Sequence, residues 1–285
     1  MPTFALWSLA LHRTPTWLLL AAALLCGAAA QADQLDEIRK RGELVVGVLG
    51  TDEPSTFIDP KTREIVGYEV DLARAVASKL GVRLTLKQMS VAARIPELQQ
   101  GRVDLLAASL SHTKEREAVI DFSLTTLVTG QQAMVKVSSG FTSLAQLSGK
   151  KVVTVKGGTQ EPNTRKAIAA VEVVTFDNGL LAFQALSQGK GAAFVNEDVS
   201  LLRQLANLGE ARSQYLILPE KISVEAVALG IRKGEAGFKA LVDGSLRELE
   251  KSGEADRLFM KWYGPGSKIG FPKRGFKIET DRIGA

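Results

Sequence analysis

Between Gly67 and Ser123 the apolar residues change period repeatedly, and few folds accept such a run. Val70, Ala73, Val76, Ala77 and Leu80 recur at helical spacing after Gly67-Tyr68 and stop at Gly81, a natural C-terminal glycine. Val82, Leu84 and Leu86 then alternate with polar residues, which predicts a strand. Residues 95–100 predict a short helix with Pro96 in its first turn. Residues 103–110 are an apolar strand, and Thr113 is placed to cap a helix beginning at Lys114. Strands alternating with helices imply an α/β lobe with a doubly wound sheet, whose ligands collect at the carboxyl ends of the strands. Those ends are Gly47–Leu49, Gln88–Ser90 and Ser109–Thr113.

The same alternation brackets this stretch. Before it, Leu35–Arg41 predicts a helix and Leu44–Val48 a buried strand, followed by a loop over Gly50–Arg63. After it, strands are expected at 132–137, 151–155, 173–176 and 192–195. Helices are expected at 180–188 and from Asn196-Glu197-Asp198 to about Leu208. Gly157-Gly158-Thr159 turns the strand at 151–155 into a helix reaching about Val171. This is a second α/β lobe. A strand at 224–232, helices at 238–251 and 254–262 and a basic tail broken by Gly and Pro complete the chain. If the strands near 129–137 and 224–232 both pass between lobes, the final helices return to the first lobe and a cleft opens between the two.

Residues 1–32 read as a signal peptide. Met1–Arg13 is the charged start, Trp17–Cys26 is apolar but short for a bilayer, and Ala30-Gln31-Ala32 is an A-x-A cleavage site. An uncleaved anchor is the alternative. A lipoprotein is disfavoured because Leu25 precedes Cys26. Cleavage removes Arg13 and no acid, so the formal charge of +5 becomes +4. It also removes Cys26, the only cysteine, so an exported chain would hold its fold without a disulfide. The basic residues form no long run and no aromatic-interleaved stripe, which argues against a nucleic-acid partner.

The chain resembles the polar amino-acid-binding family of periplasmic solute receptors that serve ATP-driven importers. The likeness starts at Gly67-Tyr68-Glu69-Val70-Asp71-Leu72-Ala73. It continues through Gly101-Arg102-Val103-Asp104, Ser109-Leu110-Ser111-His112-Thr113, Glu115-Arg116 and Asp121-Phe122-Ser123. Leu147-Ser148-Gly149-Lys150, Gly157-Gly158-Thr159 and Ser252-Gly253-Glu254-Ala255 follow in order. It implies a two-lobed clamp with two crossover strands: residues 33–130 plus 227–285 form one lobe and 131–226 the other. It further implies a monomer without cofactor or metal, localised to the periplasm, binding one amino acid and delivering it to an inner-membrane ABC permease with its ATPase.

Arg116 lies about three residues into its helix, where the dipole disfavours a cation, so a ligand role competes with a surface pair to Glu115 or Glu117. A guanidinium matches a carboxylate bidentately. The resemblance assigns Arg116 to the α-carboxylate, with Ser109, Ser111 and the Ser111 main-chain N–H completing the grip. Thr159 would close on the same carboxylate from the second lobe, or simply cap its helix. The turn lacks the Gly-Lys-Ser/Thr ending of a P-loop, which argues against nucleotide. The family places an aspartate for the ammonium after the strand matching 192–195. Here Glu197 takes that position with Asp198 beside it, and dipole-favoured helix-start acids are the alternative.

Ala93-Arg94-Ile95-Pro96 resembles the branch that binds glutamate and aspartate, where Arg94 would reach a side-chain carboxylate. The further basic residue that some relatives carry after the first strand is replaced by Val48-Leu49-Gly50. Lys156 is a candidate replacement, and Phe57 is expected to cover the ligand's aliphatic part or to pack in the core. Two other functions stay open: an exported dehydratase of a cyclic acid, with His112 the residue to watch, and a sensor for a signalling receptor. No nucleophile–base pair is visible, so binding without catalysis is expected.

Overall fold

The computed structural model describes residues 34–280, so the expected signal peptide, residues 1–32, lies outside the described residues. Helix α1 (Gln34–Arg41) leads into β1 (Glu43–Val48). β1 pairs in parallel with β5 (Arg83–Gln88) on one side and with β6 (Leu105–Leu106) on the other. Helix α2 (Tyr68–Leu80) packs Leu72, Ala73 and Val76 onto this sheet, and Gly81 ends it in a left-handed conformation. Helix α3 (Arg94–Gln99) and the single turn α4 (Lys114–Glu117) follow β5 and β6.

Two long strands, β7 (Ile120–Lys136) and β12 (Ser223–Arg232), run antiparallel side by side. At one end β12 pairs with β6; at the other β7 pairs with β10 (Ala193–Glu197) and β11 (Tyr215–Ile217). β10 continues through β8 (Lys151–Val155) to β9 (Glu172–Phe176), both parallel pairings. The order is therefore β5-β1-β6-β12-β7-β10-β8-β9, with β7 and β12 as the bridge. Helices α5 (Gln160–Ala167), α6 (Gly179–Ser187) and α7 (Asp198–Asn207) belong to the second group of strands.

Burial separates these groups into two lobes. Val46, Leu72, Leu105 and Leu229 share one core with Phe238 and Leu246 of α8 (Ala236–Lys251) and with Phe259 of α9 (Glu254–Tyr263). In the second lobe the alternation of β7 divides its faces: Ala133 and Val135 pack with Val152 and Val195, while Met134 packs with Phe183, Leu186 and Phe194. The final helices thus return to the first core, as the crossover reading requires.

Three local expectations need correction, and the tail shows more than the sequence announces. The strand expected over 103–110 reduces to Leu105–Leu106, because Ser109 takes a left-handed φ of 51° and turns the chain out of the ladder. The Gly50–Arg63 loop contributes to a small sheet of β2 (Thr51–Asp52), β3 (Thr56–Ile58) and β4 (Ile65–Val66). The helix expected to reach Val171 stops at Ala167, where Ile168 becomes extended and enters the core. The Gly/Pro-broken tail is packed: Phe271, Phe276 and Ile278 lie against the first core, and Arg274 makes two bonds of 2.7 and 2.8 Å to Glu250.

Candidate ligand-binding site

A cavity of about 260 Å³ lies between the lobes, walled by Leu49, Asp52, Ser90, Arg94, Ser111 and Arg116 on one side and Val155, Thr159, Asp177, Glu197 and Arg203 on the other. Its walls are the loops and helix starts after β1, β5, β8, β9 and β10, so the strand-end rule for open α/β sheets holds in both lobes.

Arg116 is fixed by its own turn. Thr113 caps α4 by accepting the Arg116 N–H at 3.3 Å. The helix is a single turn, so its dipole matters less than the neighbours. Arg116 Nη1 donates to the Ser111 carbonyl at 2.9 Å, and Nη2 to the Gly157 carbonyl at 3.2 Å. A guanidinium has five donors, so three remain. Burial lowers the Arg116 pKa, opposed by the nearby acids Glu225 and Glu197.

Arg94 is 3 % exposed and committed differently. Its Nε donates to the Val91 carbonyl at 2.9 Å, Nη1 to Ala108 and Ser109 carbonyls at 2.8 Å each, and Nη2 to the Gly157 carbonyl at 3.3 Å. One N–H is left. Desolvation, then the like charge of Arg116, pushes its pKa down to about 9, still cationic at neutral pH. Gly157 thus joins both arginines across the cleft. Its φ is +81°, and a Cβ there would sit 2.7 Å from the Ala92 Cα, so the lobes meet at a position only glycine fits.

Ser109 does not present a free hydroxyl. Its Oγ donates to Asp52 Oδ2 at 2.5 Å and also lies 3.3 Å from Glu69 Oε2, while its N–H donates to Glu69 Oε2 at 2.8 Å. Glu69 is buried on α2, and desolvation, with Asp52 next to it, pushes its pKa up to about 7. Asp52 Oδ1 also accepts from Ser200 Oγ of α7 at 3.2 Å, a third bond across the cleft. Ser111 is 2 % exposed and lines the cavity.

Thr159 lines the cavity but makes no side-chain cap, contrary to the capping alternative. Its hydroxyl donates to Glu225 at 2.9 Å and accepts from Gln131 at 2.7 Å. Glu197, at the end of β10, accepts from Gln160 Nε2 at 2.8 Å. Desolvation raises its pKa to about 8, reinforced by the negative charges of Asp52 and Glu225.

Three expected residues stand elsewhere. Phe57 pairs with Thr51 and Val66 and turns its ring edge-on to Trp262, 5.9 Å between centroids, in a separate cavity. Asp198 points to the crossover strand, accepting the Thr129 hydroxyl at 2.6 Å and its own helix's Val199 N–H at 2.8 Å. Lys156 is exposed and outside the cavity lining. His112, the residue to watch for a dehydratase, is 3 % exposed, stacks on Phe122 at 4.1 Å and does not line the cavity. Sequence reasoning missed Asp52, Gln160, Ser200 and Arg203. Asp52 follows the first strand, where a ligand group was expected; Arg203, whose Nε is buried without a hydrogen-bond partner, carried no such signal.

Two lobes joined by paired crossover strands, with opposed arginines and carboxylates around a small cavity at strand ends, define a two-lobed solute receptor of clamp type. Residues 44–265 match the bacterial extracellular solute-binding proteins, family 3, and the chain belongs to that family. It is 28% identical to the ABC transporter glutamine-binding protein GlnH of Bacillus subtilis, over 81% of this chain and 84% of that one. It is 30% identical to the glutamate/aspartate import solute-binding protein of Escherichia coli, over 88% of each. A solved structure of an ancestral arginine-binding protein bound to arginine is 35% identical, with a TM-score of 0.73 over 79% of this chain and 99% of that one.

Proposed function

We propose that this chain is an extracytoplasmic receptor, exported by removal of residues 1–32, that captures one L-amino acid and delivers it to an ABC import permease with its ATPase. The lobes that close on the ligand would be residues 33–130 plus 227–285 and residues 131–226. The observation that carries the reading is the opposition of Arg116, with three uncommitted donors, to Glu197 across one small cavity. An α-carboxylate takes the first and an α-ammonium the second. Three charge-assisted bonds at roughly 1.5–3 kcal/mol each supply most of the ~8 kcal/mol of a micromolar complex. Because the ligand touches both lobes only when they are closed, binding favours the closed form. The curated relatives GlnH and the glutamate/aspartate import protein are named for binding and import, which supports transport over catalysis.

The other end of the cavity bears on the side chain. Asp52 is bonded to Ser109 and Ser200, whereas Arg116 is held by the Ser111 and Gly157 carbonyls, so Asp52 faces a part of the cavity other than the carboxylate grip. A carboxylate has about four acceptor positions, and Asp52 uses two. Arg94 keeps a single N–H. The free acceptor positions of Asp52 and the unpartnered Arg203 Nε that lines the same cavity together support a side chain that both donates and accepts, as in glutamine, more than the glutamate or aspartate expected from Arg94. The names of the relatives span these ligands. Titration of ligand-stripped protein with L-arginine, L-glutamine and L-glutamate, wild type against Asp52→Asn, tests the choice. Glutamate binding weakest, and gaining on the others in Asp52→Asn, is expected; glutamate binding tightest with no change in the variant would overturn it.

A further inference from the structure

The two crossover strands meet at a rung that the ligand site does not explain. Glu225 of β12 lies opposite Thr129 of β7, and Ser223 lies opposite Gln131. Glu225 is 3 % exposed, in a strand whose preceding residue, Val224, faces solvent. The usual inside-out pattern is therefore reversed, with the acid in and the valine out. Burying a carboxylate is costly unless its oxygens are bonded. Glu225 is bonded by neutral donors: Thr159 Oγ1 at 2.9 Å, Asn163 Nδ2 at 2.7 Å and Ser223 Oγ at 3.1 Å. Gln131 closes the ring, donating to Thr159 Oγ1 at 2.7 Å and accepting from Asn163 Nδ2 at 3.1 Å.

Across the rung, the Thr129 hydroxyl donates to Asp198 Oδ1 at 2.6 Å. β12 thus grips the start of α5, and β7 grips the starts of both α5 and α7. Glu225 holds the start of α5 through Thr159 and Asn163, and Thr129 holds the start of α7 through Asp198. Those helix starts carry Thr159 and Glu197, two residues that line the cavity. A hydroxyl has one proton. Thr159 gives its proton to Glu225, so its side chain has none for a ligand, and the turn meets a carboxylate with main-chain N–H groups.

We propose that Glu225 and Thr129 are positioning residues: the rung they form fixes the second-lobe half of the site to the hinge and decides which groups of the Gly157–Thr159 turn face the ligand. This rests on the amino-acid reading above for its effect on affinity, but not for its effect on the helix start. The rung acts on the end of the ligand common to all amino acids. Its loss therefore lowers affinity for every amino acid alike and leaves their order of preference intact.

The test is a double-mutant cycle on the mature chain with Glu225→Gln, Glu225→Met, Thr159→Val and Thr159→Ser, read by calorimetric titration and by native-state hydrogen exchange. Glu225→Met and Thr159→Val should each weaken binding about tenfold or more, and the double variant should be no weaker than the worse single. Thr159→Ser, which keeps the hydroxyl bond to Glu225, should hold the exchange protection of residues 160–164 at the wild-type level. Amides of residues 160–164 should exchange at least about tenfold faster in Glu225→Gln, with those of α6 unchanged. That exchange arm needs no ligand, so it still tests the rung if no amino acid binds and the amino-acid reading fails. Should Glu225→Met not fold, Glu225→Gln, which keeps the shape, stands in for it in both arms. Strictly additive losses, or exchange at the start of α5 unchanged in Glu225→Gln, would overturn the proposal.

Discussion

Ligand binding should release a proton, and the source is Glu197. In the closed cavity, desolvation and the negative charges of Asp52 and Glu225 raise its pKa from the ordinary 4.5 to about 8. At pH 7 about nine in ten of these carboxyls then carry a proton. An ammonium pairs with the ionised form, so binding at pH 7 expels close to one proton. Affinity should rise up to about tenfold per pH unit below pH 8, worth about 1.4 kcal/mol per unit, and level off above it. In the closed form without ligand, the effect of this group on stability runs the opposite way. A folded pKa above the unfolded one means that the native state holds the proton longer. This group's contribution to stability is thus fully present below about pH 4.5 and is lost as pH rises towards 8. Titration calorimetry at pH 7 in two buffers of different ionisation enthalpy counts the proton directly. Glu197→Gln should abolish both the release and most of the slope. A pH-independent affinity between 6.5 and 8, or the same proton release in Glu197→Gln, would refute the reasoning.

Other substitutions separate gripping from bracing. Gly157→Ala places a Cβ 2.7 Å from the Ala92 backbone at a φ of +81°. It should cost about 1–2 kcal/mol of local strain yet weaken binding much more, with small-angle scattering showing a more open particle in the presence of ligand. Arg116→Ala removes two charge-assisted bonds and should weaken binding by roughly 10²–10⁴-fold with little change in melting temperature. Arg94→Ala strips partners from four carbonyls. It should lower the melting temperature by about 10 °C in a thermal scan; a melting temperature unchanged from wild type would contradict the bracing role. Arg274→Met leaves Glu250 without its bidentate partner, both side chains being largely buried. It should cost about 3–5 kcal/mol in denaturant unfolding while ligand affinity stays constant.

Much of this architecture is legible in the sequence because it is local. The periodicity of Val70–Leu80, the glycine at Gly81 and the cap at Thr113 each act within a turn or two, and the structure keeps all three. Arg116 is legible because its surroundings are built by its own loop. What was not legible depends on partners far along the chain. The Thr159 hydroxyl belongs to Glu225, 66 positions away. Phe57 is turned by Trp262, and Asp198 by Thr129. Arg94 reads as a ligand group from its neighbours in sequence, yet its donors are spent on carbonyls of the 108–109 turn and of Gly157. That turn exists because Ser109 leaves the extended conformation, which an apolar run does not announce. The tail reads as broken and basic, but Phe271, Phe276 and Ile278 return to a core assembled from the other end of the chain.

The central claim, that the cavity between Arg116 and Glu197 holds an α-amino acid, is tested most directly by calorimetric titration of unfolded, dialysed and refolded mature protein against the twenty common L-amino acids. Saturable one-to-one heat with at least one of them, lost in Arg116→Ala, is the predicted result. No heat with any of the twenty, or binding that survives Arg116→Ala undiminished, would contradict it.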